Sequence, residues 1–235
     1  MILCTICARG GSKGVPNKNI KLINGKPLIY YTINQAIKSK MFDRIVVSTE
    51  SKIIASKVKK MGIDVWFLRP KKFANDRASK RPAIRHALLE SEKHFNKIFD
   101  IIVDLDVTSP LRKIEDIRKA IKQFKNSKAD ILISGSKSKK NPYFNMVELV
   151  NNNPKLIKKI KNLSYNRRQD APATYDMNAS IYIWKKATIL SSDNLFGSKT
   201  SLYIMPEERS IDIDTLLDFK IVEGLLKKNI KNKIL

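Results

Sequence analysis

The sequence predicts an α/β fold: a mostly parallel, twisted sheet with helices on both faces. Three observations carry this. Strand-like and helix-like segments alternate as far as residue 135 or so, the rhythm of parallel strands joined by crossover helices. The first segment, residues 2–8, is apolar throughout, as a strand buried on both faces must be. A glycine-rich cationic turn, Arg9-Gly10-Gly11-Ser12-Lys13-Gly14, follows at once. Open parallel sheets collect ligands at the carboxyl ends of their strands, and that is where this turn falls.

The elements follow in order. Residues 27–38 read as a helix opened by Pro27, and 44–48 as a β-branched strand. Residues 51–61 read as a helix and 64–68, with Trp66 and Phe67, as a strand. A longer loop spans 69–80. Pro82 lies near the start of a helix reaching Phe95, residues 98–105 are strand-like, 114–124 helical, and 130–134 a strand. The rhythm then breaks. Residues 136–153 are basic and Asn-rich around an apolar stretch at 143–150, which reads as an excursion from the sheet in the form of a hairpin. Strands at 178–184 and 201–205 and a helix over 214–226 complete the chain. No linker divides it, so residues 1–235 are expected to form a single domain.

Composition narrows the function. The chain has 235 residues with 43% hydrophobic content, enough for one ordinary core. No apolar run approaches the ~18 residues of a membrane span. Met1-Ile2-Leu3 enters the first strand without a signal-peptide pattern, so a cytoplasmic location is expected. Cys4 and Cys7 form a Cys-x-x-Cys with no second ligand pair; three apart on a strand, they point to opposite faces as buried thiols. Net charge is +24, from 46 Lys plus Arg against 22 Asp plus Glu. The lysines are scattered, with no zinc finger, ribonucleoprotein motif or arginine stripe interleaved with aromatics, which argues against nucleic acid.

Four groups of residues can carry chemistry. The turn after the first strand joins backbone N–H groups to Arg9, Lys13 and Lys18, a combination suited to polyphosphate; a basic surface turn is the plainer reading. It is neither a Walker A loop nor the dinucleotide fingerprint. Asp212 and Asp214, in Ser210-Ile211-Asp212-Ile213-Asp214-Thr215, face one side at strand spacing and suit Mg²⁺, although Asp214 could equally cap the next helix. A second pair, Asp104-Leu105-Asp106, ends a strand as the metal-binding Asp-x-Asp of a sugar-nucleotide glycosyltransferase does. Arg168 offers a two-pronged partner to a carboxylate, and Asn178 a donor and acceptor to sugar hydroxyl or amide groups.

Together these segments resemble the acylneuraminate cytidylyltransferase family, the CMP-sialic acid synthetases and their relatives. The matching pieces are Arg9-Gly10-Gly11-Ser12-Lys13-Gly14-Val15-Pro16-Asn17-Lys18-Asn19, then Arg69-Pro70 with Ala74-Asn75-Asp76-Arg77-Ala78-Ser79. Thr108-Ser109-Pro110-Leu111-Arg112, Arg168-Gln169 with Asn178-Ala179-Ser180-Ile181-Tyr182-Ile183, and Asp212-Ile213-Asp214 with Asp218-Phe219 follow in the family's order. The resemblance implies a Rossmann-like nucleotidyltransferase that joins CTP to a nine-carbon 2-keto sugar acid, giving CMP-sugar and pyrophosphate. It implies that Arg9, Gly11, Ser12, Lys13 and Lys18 hold the triphosphate, with Asn19, Arg69, Ala78 and Ser79 along the cytidine and its ribose. Asp212 and Asp214 would hold Mg²⁺. Asp106, Arg168, Gln169 and Asn178 would face the sugar acid, and Arg9, Lys18, Asp212 and Asp214 would carry catalysis. Residues 136–172 would form a dimerisation element of a homodimer.

Two departures point within the family. Asp106 stands where sialate enzymes usually have glutamine, and Asn178-Ala179-Ser180 where they usually read Asn-Gly-Ala. Both resemble the branch acting on N,N'-diacetyllegionaminate, and sialic and pseudaminic acids are the alternatives. An acceptor-only Asp106 would change which sugar substituent is accepted.

Overall fold

The computed structural model describes residues 1–12, 14–74, 79–160, 165–191, 194–196 and 199–231, with side chains as far as 227. Strand β1 (Ile2–Cys7) is followed by the short β2 (Leu22–Ile23) and β3 (Lys26–Pro27), then α1 (Leu28–Ser39), β4 (Arg44–Ser48) and α2 (Lys52–Lys59). Next come α3 (Lys80–Phe95), β5 (Ile101–Leu105), α4 (Ile114–Asn126) and β6 (Ile131–Lys137). The hairpin β7 (Val147–Val150) and β8 (Asn153–Leu156) precedes β9 (Tyr175–Lys185), α5 (Lys186–Ser191), β10 (Thr200–Ile204) and α6 (Leu216–Lys231).

Six strands form the main sheet in the order β10-β6-β9-β5-β1-β4. The pairs β4–β1, β1–β5 and β6–β10 are parallel. Strand β9 runs antiparallel between β5 and β6, because the chain returns from the excursion without a crossover helix. Apolar side chains of β1 divide between two cores: Cys4 and Ile6 join α1, α2, α4 and α6 on one face, Leu3 and Cys7 join α3 and α5 on the other. Both thiols are free and buried.

One expected strand is absent. Residues 64–68 form no regular element and pair with no strand; their rings pack on α3 instead. Trp66 stacks on His94 with centroids 4.4 Å apart, and Phe67 meets His86 edge-on at 5.3 Å. Aromatic packing on a helix satisfies these side chains without a ladder, so β4 remains the sheet edge.

The excursion is a two-stranded hairpin turning at Asn151 and Asn152, both at positive φ (51° and 61°), the backbone of a type I′ turn. It lies off the main sheet, and Val147 and Leu149 are exposed. Where β9 rejoins, its register against β6 shifts between Ile133 and Gly135. Gly135 is required there, since a Cβ would come within 2.7 Å of the Asp176 carbonyl oxygen. Ala179 in the same irregular stretch adopts φ +51°, a left-handed conformation costly for alanine.

Candidate active site

The carboxyl ends of β1 and β5 open onto a cleft of about 380 Å³. Its walls include Arg9, Ser12, Gly14, Lys18 and Asn19 from the first loop, Arg69 and Phe73, then Ser79 and Lys80 at the start of α3. Asp106 and Thr108 follow β5, and Asp212 and Asp214 come from the far end of the chain.

The cationic loop and the late acidic pair are in direct contact. A Cβ on Gly14 would fall 2.1 Å from the Asp214 carbonyl oxygen, so only glycine lets the two backbones meet. Lys18 donates to the Ile213 carbonyl and lies 3.4 Å from Asp214 Oδ1. The Ile213 N–H donates to Thr108 O at 3.0 Å, fastening the same segment to the loop after β5. Asn19 is buried and donates through Nδ2 to Arg9 O at 2.9 Å, closing the loop on itself. Glu50 braces it from outside: it accepts from Gly10 N–H at 2.6 Å and from Arg69 Nη2 at 2.8 Å. Burial works against the Glu50 carboxylate, but the Arg69 and Gly10 bonds outweigh it and hold its pKa below the ordinary range.

Asp214 does not cap α6. Thr215 Oγ1 accepts from Asp218 N–H at 3.2 Å while Asp218 Oδ2 accepts from Thr215 N–H at 2.7 Å, the reciprocal bonds of a capping box. The Asp214 side chain is 77% exposed. Burial pushes the Asp212 carboxyl up to about 6, against a bond from Thr108 and with repulsion from Asp106 and Asp214 added. Its buried Oδ1 has no hydrogen-bond partner among the described residues. A half-buried carboxylate with an orphaned oxygen beside an exposed one fits a hard cation. Among the described residues no group of three or more His, Cys, Asp or Glu side chains could hold one unaided, so phosphate oxygens and water would complete the shell.

The second Asp-x-Asp pair has a different fate. Lys80 Nζ lies 2.6 Å from Asp104 Oδ2 and 2.7 Å from Asp106 Oδ2, so a cation from the protein already joins the two carboxylates. Burial disfavours the Lys80 ammonium, but the two aspartates outweigh it and raise its pKa well above the usual value. Asp104 is fully buried and accepts from Thr5 Oγ1 at 2.8 Å. The pair is therefore an ion cluster within the cleft wall rather than the metal site of a glycosyltransferase.

The remaining expected site residues lie elsewhere. Gly11 is exposed on the loop with open space around its Cα. Arg168 and Gln169 sit in an exposed turn, where Arg168 Nη1 donates to Lys139 O at 2.8 Å; neither lines the cleft. Asn178 is buried with both ends of its amide engaged: Oδ1 accepts from Ser134 Oγ at 2.7 Å, and Nδ2 donates to Ser210 Oγ at 3.0 Å. It therefore ties β9 to the segment that carries Asp212. Lys13 and Ala78 lie outside the described residues. Arg112 is likewise a buried clamp, donating to Ser180 O at 2.5 Å and Gln35 Oε1 at 3.1 Å. Glu50 and Lys80 were not anticipated from sequence. The signal for Glu50 was its place just past the carboxyl end of β4; that for Lys80 was its place at the opening of α3, beside Ser79.

Such a sheet, with a glycine-rich cationic loop and an acidic pair meeting at its strand ends, defines a nucleotidyltransferase. A family model described as Cytidylyltransferase matches residues 3–232, and the chain belongs to that family. It is 50% identical over 233 residues to the CMP-N,N'-diacetyllegionaminic acid synthase of Campylobacter jejuni subsp. jejuni serotype O:2, covering 99% of this chain and 98% of that protein. It is 48% identical, with the same coverage, to the post-translational flagellin modification protein B of Campylobacter coli. The solved structure of a CMP:2-keto-3-deoxy-manno-octonic acid synthetase complexed with CTP matches with a TM-score of 0.68 at 16% identity. That match covers 97% of this chain and 99% of the other, a likeness of fold.

Proposed function

We propose that the protein is a CMP-nonulosonate synthetase, joining CTP to N,N'-diacetyllegionaminate or a related nine-carbon 2-keto sugar acid with release of pyrophosphate. The observation that carries this is the backbone contact of Gly14 with Asp214, which sets a cationic, glycine-rich loop and an acidic pair on one cleft. A finished sugar nucleotide would need no such loop, whereas a triphosphate that loses pyrophosphate needs both its charge neutralised and its α-phosphorus exposed. The legionaminic acid synthase relative supports the choice of sugar acid.

In this reading Arg9, Ser12, Lys18 and backbone N–H groups of the loop hold the phosphates, and Asn19, Arg69 and Ser79 lie along the nucleoside. Asp212 and Asp214 would hold Mg²⁺, which when bound would supply charge to offset the phosphates and to lower the pKa of the sugar's anomeric hydroxyl. That hydroxyl oxygen bonds to the α-phosphorus as the bond to the pyrophosphate oxygen breaks. Lys18 is fastened to the Ile213 carbonyl before substrate arrives, so its charge is positioned without reorganisation during the reaction. The exposed hairpin β7–β8 offers Val147 and Leu149 as the contact of a homodimer. Among the described residues no helix is long and apolar enough to cross a membrane, and we place the enzyme in the cytoplasm.

The test is pyrophosphate release from four nucleotides against sialic, legionaminic, pseudaminic and 3-deoxy-octulosonic acids. The expected result is release from CTP only when a nonulosonic acid is present, fastest with the legionaminic acid. No release with any sugar acid would end the reading.

A further inference from the structure

One charged cluster in the cleft wall is left unused by phosphate or metal. The Lys80 ammonium carries three N–H groups; it donates one to Asp106 Oδ2 at 2.7 Å and forms an ion pair with Asp104 Oδ2 at 2.6 Å. Its side chain keeps 31% of its surface open where it lines the cleft beside Asp106 and Thr108. The carboxylates are turned toward protein donors: Asp104 Oδ1 accepts from Thr5 Oγ1, and Asp106 Oδ1 accepts from Thr108 N–H at 3.2 Å and Thr108 Oγ1 at 3.1 Å. Within the cluster, then, the ammonium is the group with a hydrogen-bond donor to offer. Two charged anchors also hold it in place, so a ligand need not order a flexible side chain.

We propose that Lys80 is a specificity-determining residue that donates a hydrogen bond to a neutral acceptor oxygen of the sugar acid, a hydroxyl or an acylamino carbonyl. Asp104 and Asp106 are its positioning residues. Charge sets the class of acceptor. With both carboxylates ionised, one ammonium faces two negative groups and the cluster is net anionic. A carboxylate or phosphate oxygen would meet that excess at short range in a partly dry cleft, whereas a neutral oxygen would not. The charged ends of the substrates are thereby directed to the other cations of the cleft, Arg9 and Lys18 among them. The inference rests on the sugar-acid reading above and deepens it.

The experiment is steady-state pyrophosphate release by Lys80→Met combined with Asp104→Asn, which removes the charge of the fully buried Asp104 together with its cation and leaves Asp106 its bonds from Thr108. The KM for the sugar acid should rise about 10- to 100-fold, as expected for loss of one charge-assisted hydrogen bond, while the KM for CTP stays within about twofold. Lys80→Gln with Asp104→Asn keeps an N–H donor and should recover part of the loss; it also serves if the methionine variant does not fold. Sugar acids lacking single hydroxyls, or single acyl groups, separate the two acceptors. Wild type should penalise loss of the oxygen that Lys80 reads, and the methionine variant should treat that pair alike. An unchanged sugar KM, an equal rise in the KM for CTP, or retained discrimination across the panel would overturn the proposal. Wild type inactive with every sugar acid would instead overturn the parent reading.

Discussion

Two Asp-x-Asp pairs meet at the same cleft, one lining it through both aspartates and one through Asp106 alone, and they do opposite things. Asp104 and Asp106 are drawn together by Lys80, an ion cluster sealed by Thr5 and Thr108. Asp212 keeps a buried oxygen without a hydrogen-bond partner among the described residues, and Asp214 an exposed carboxylate with Lys18 Nζ 3.4 Å away. The spacing of the two motifs is identical. What separates them is Lys80, which stands between both carboxylates of one pair, whereas Lys18 touches only the exposed member of the other, the pair proposed above to hold Mg²⁺.

Removing a carboxylate from each pair should break this contrast in different ways. Asp212→Asn should lower Mg²⁺-dependent turnover on the order of 10³-fold, comparable to loss of a key electrostatic stabiliser. Near-normal kcat would remove the metal role from this pair. The same change should stabilise the metal-free fold. A carboxyl whose folded pKa stands at about 6, above its unfolded value, contributes stability only in acid, and that contribution is lost as pH rises through about 6. Asp212→Asn should therefore unfold later in urea than wild type at pH 8, by about 1–2 kcal/mol, with the difference gone near pH 4. A constant difference across that range would mean that Asp212 titrates normally.

In the quenched pair, Lys80→Met alone should cost about 3 kcal/mol in urea unfolding, because it strands the fully buried Asp104. Adding Asp104→Asn should restore much of this. Equal stabilities for the single and double variants would show that no buried pair exists. A smaller effect tests whether Asp214 is spared from capping: Thr215→Ala should cost about 1 kcal/mol, and Asp214→Asn much less. The reverse order would return Asp214 to the helix cap and weaken its claim on a metal. Smallest is Ala179→Gly, which should stabilise by about 0.5–1 kcal/mol by relieving the left-handed backbone behind Asn178. A loss of stability there would mean that the alanine methyl packs usefully.

Much of the fold was readable because its signals are local. Strand β1 announces itself by an unbroken apolar run, and the loop after it by glycine and charge. Residues 64–68 misled because an aromatic run reads equally as a strand or as a packing face, and only α3 decides between them. Asn178 has a second reading of a similar kind. A polar residue before a core strand reads as a ligand contact until Ser134 and Ser210 are seen to take both ends of its amide. Lys80 had only its place beside Ser79 to mark it, since one lysine among 46 basic residues carries no sign of its partners.

Periodicity and residue chemistry alone were enough to specify an α/β sheet, a phosphate-suited loop and two acidic pairs, because each depends on neighbours within a few positions. Which pair stays open, which cation stands between carboxylates, and that Gly14 must lie against Asp214 were decided only by folding. Those outcomes depend on atoms far apart in the chain meeting within hydrogen-bond range, where desolvation and charge pairing outweigh any local preference.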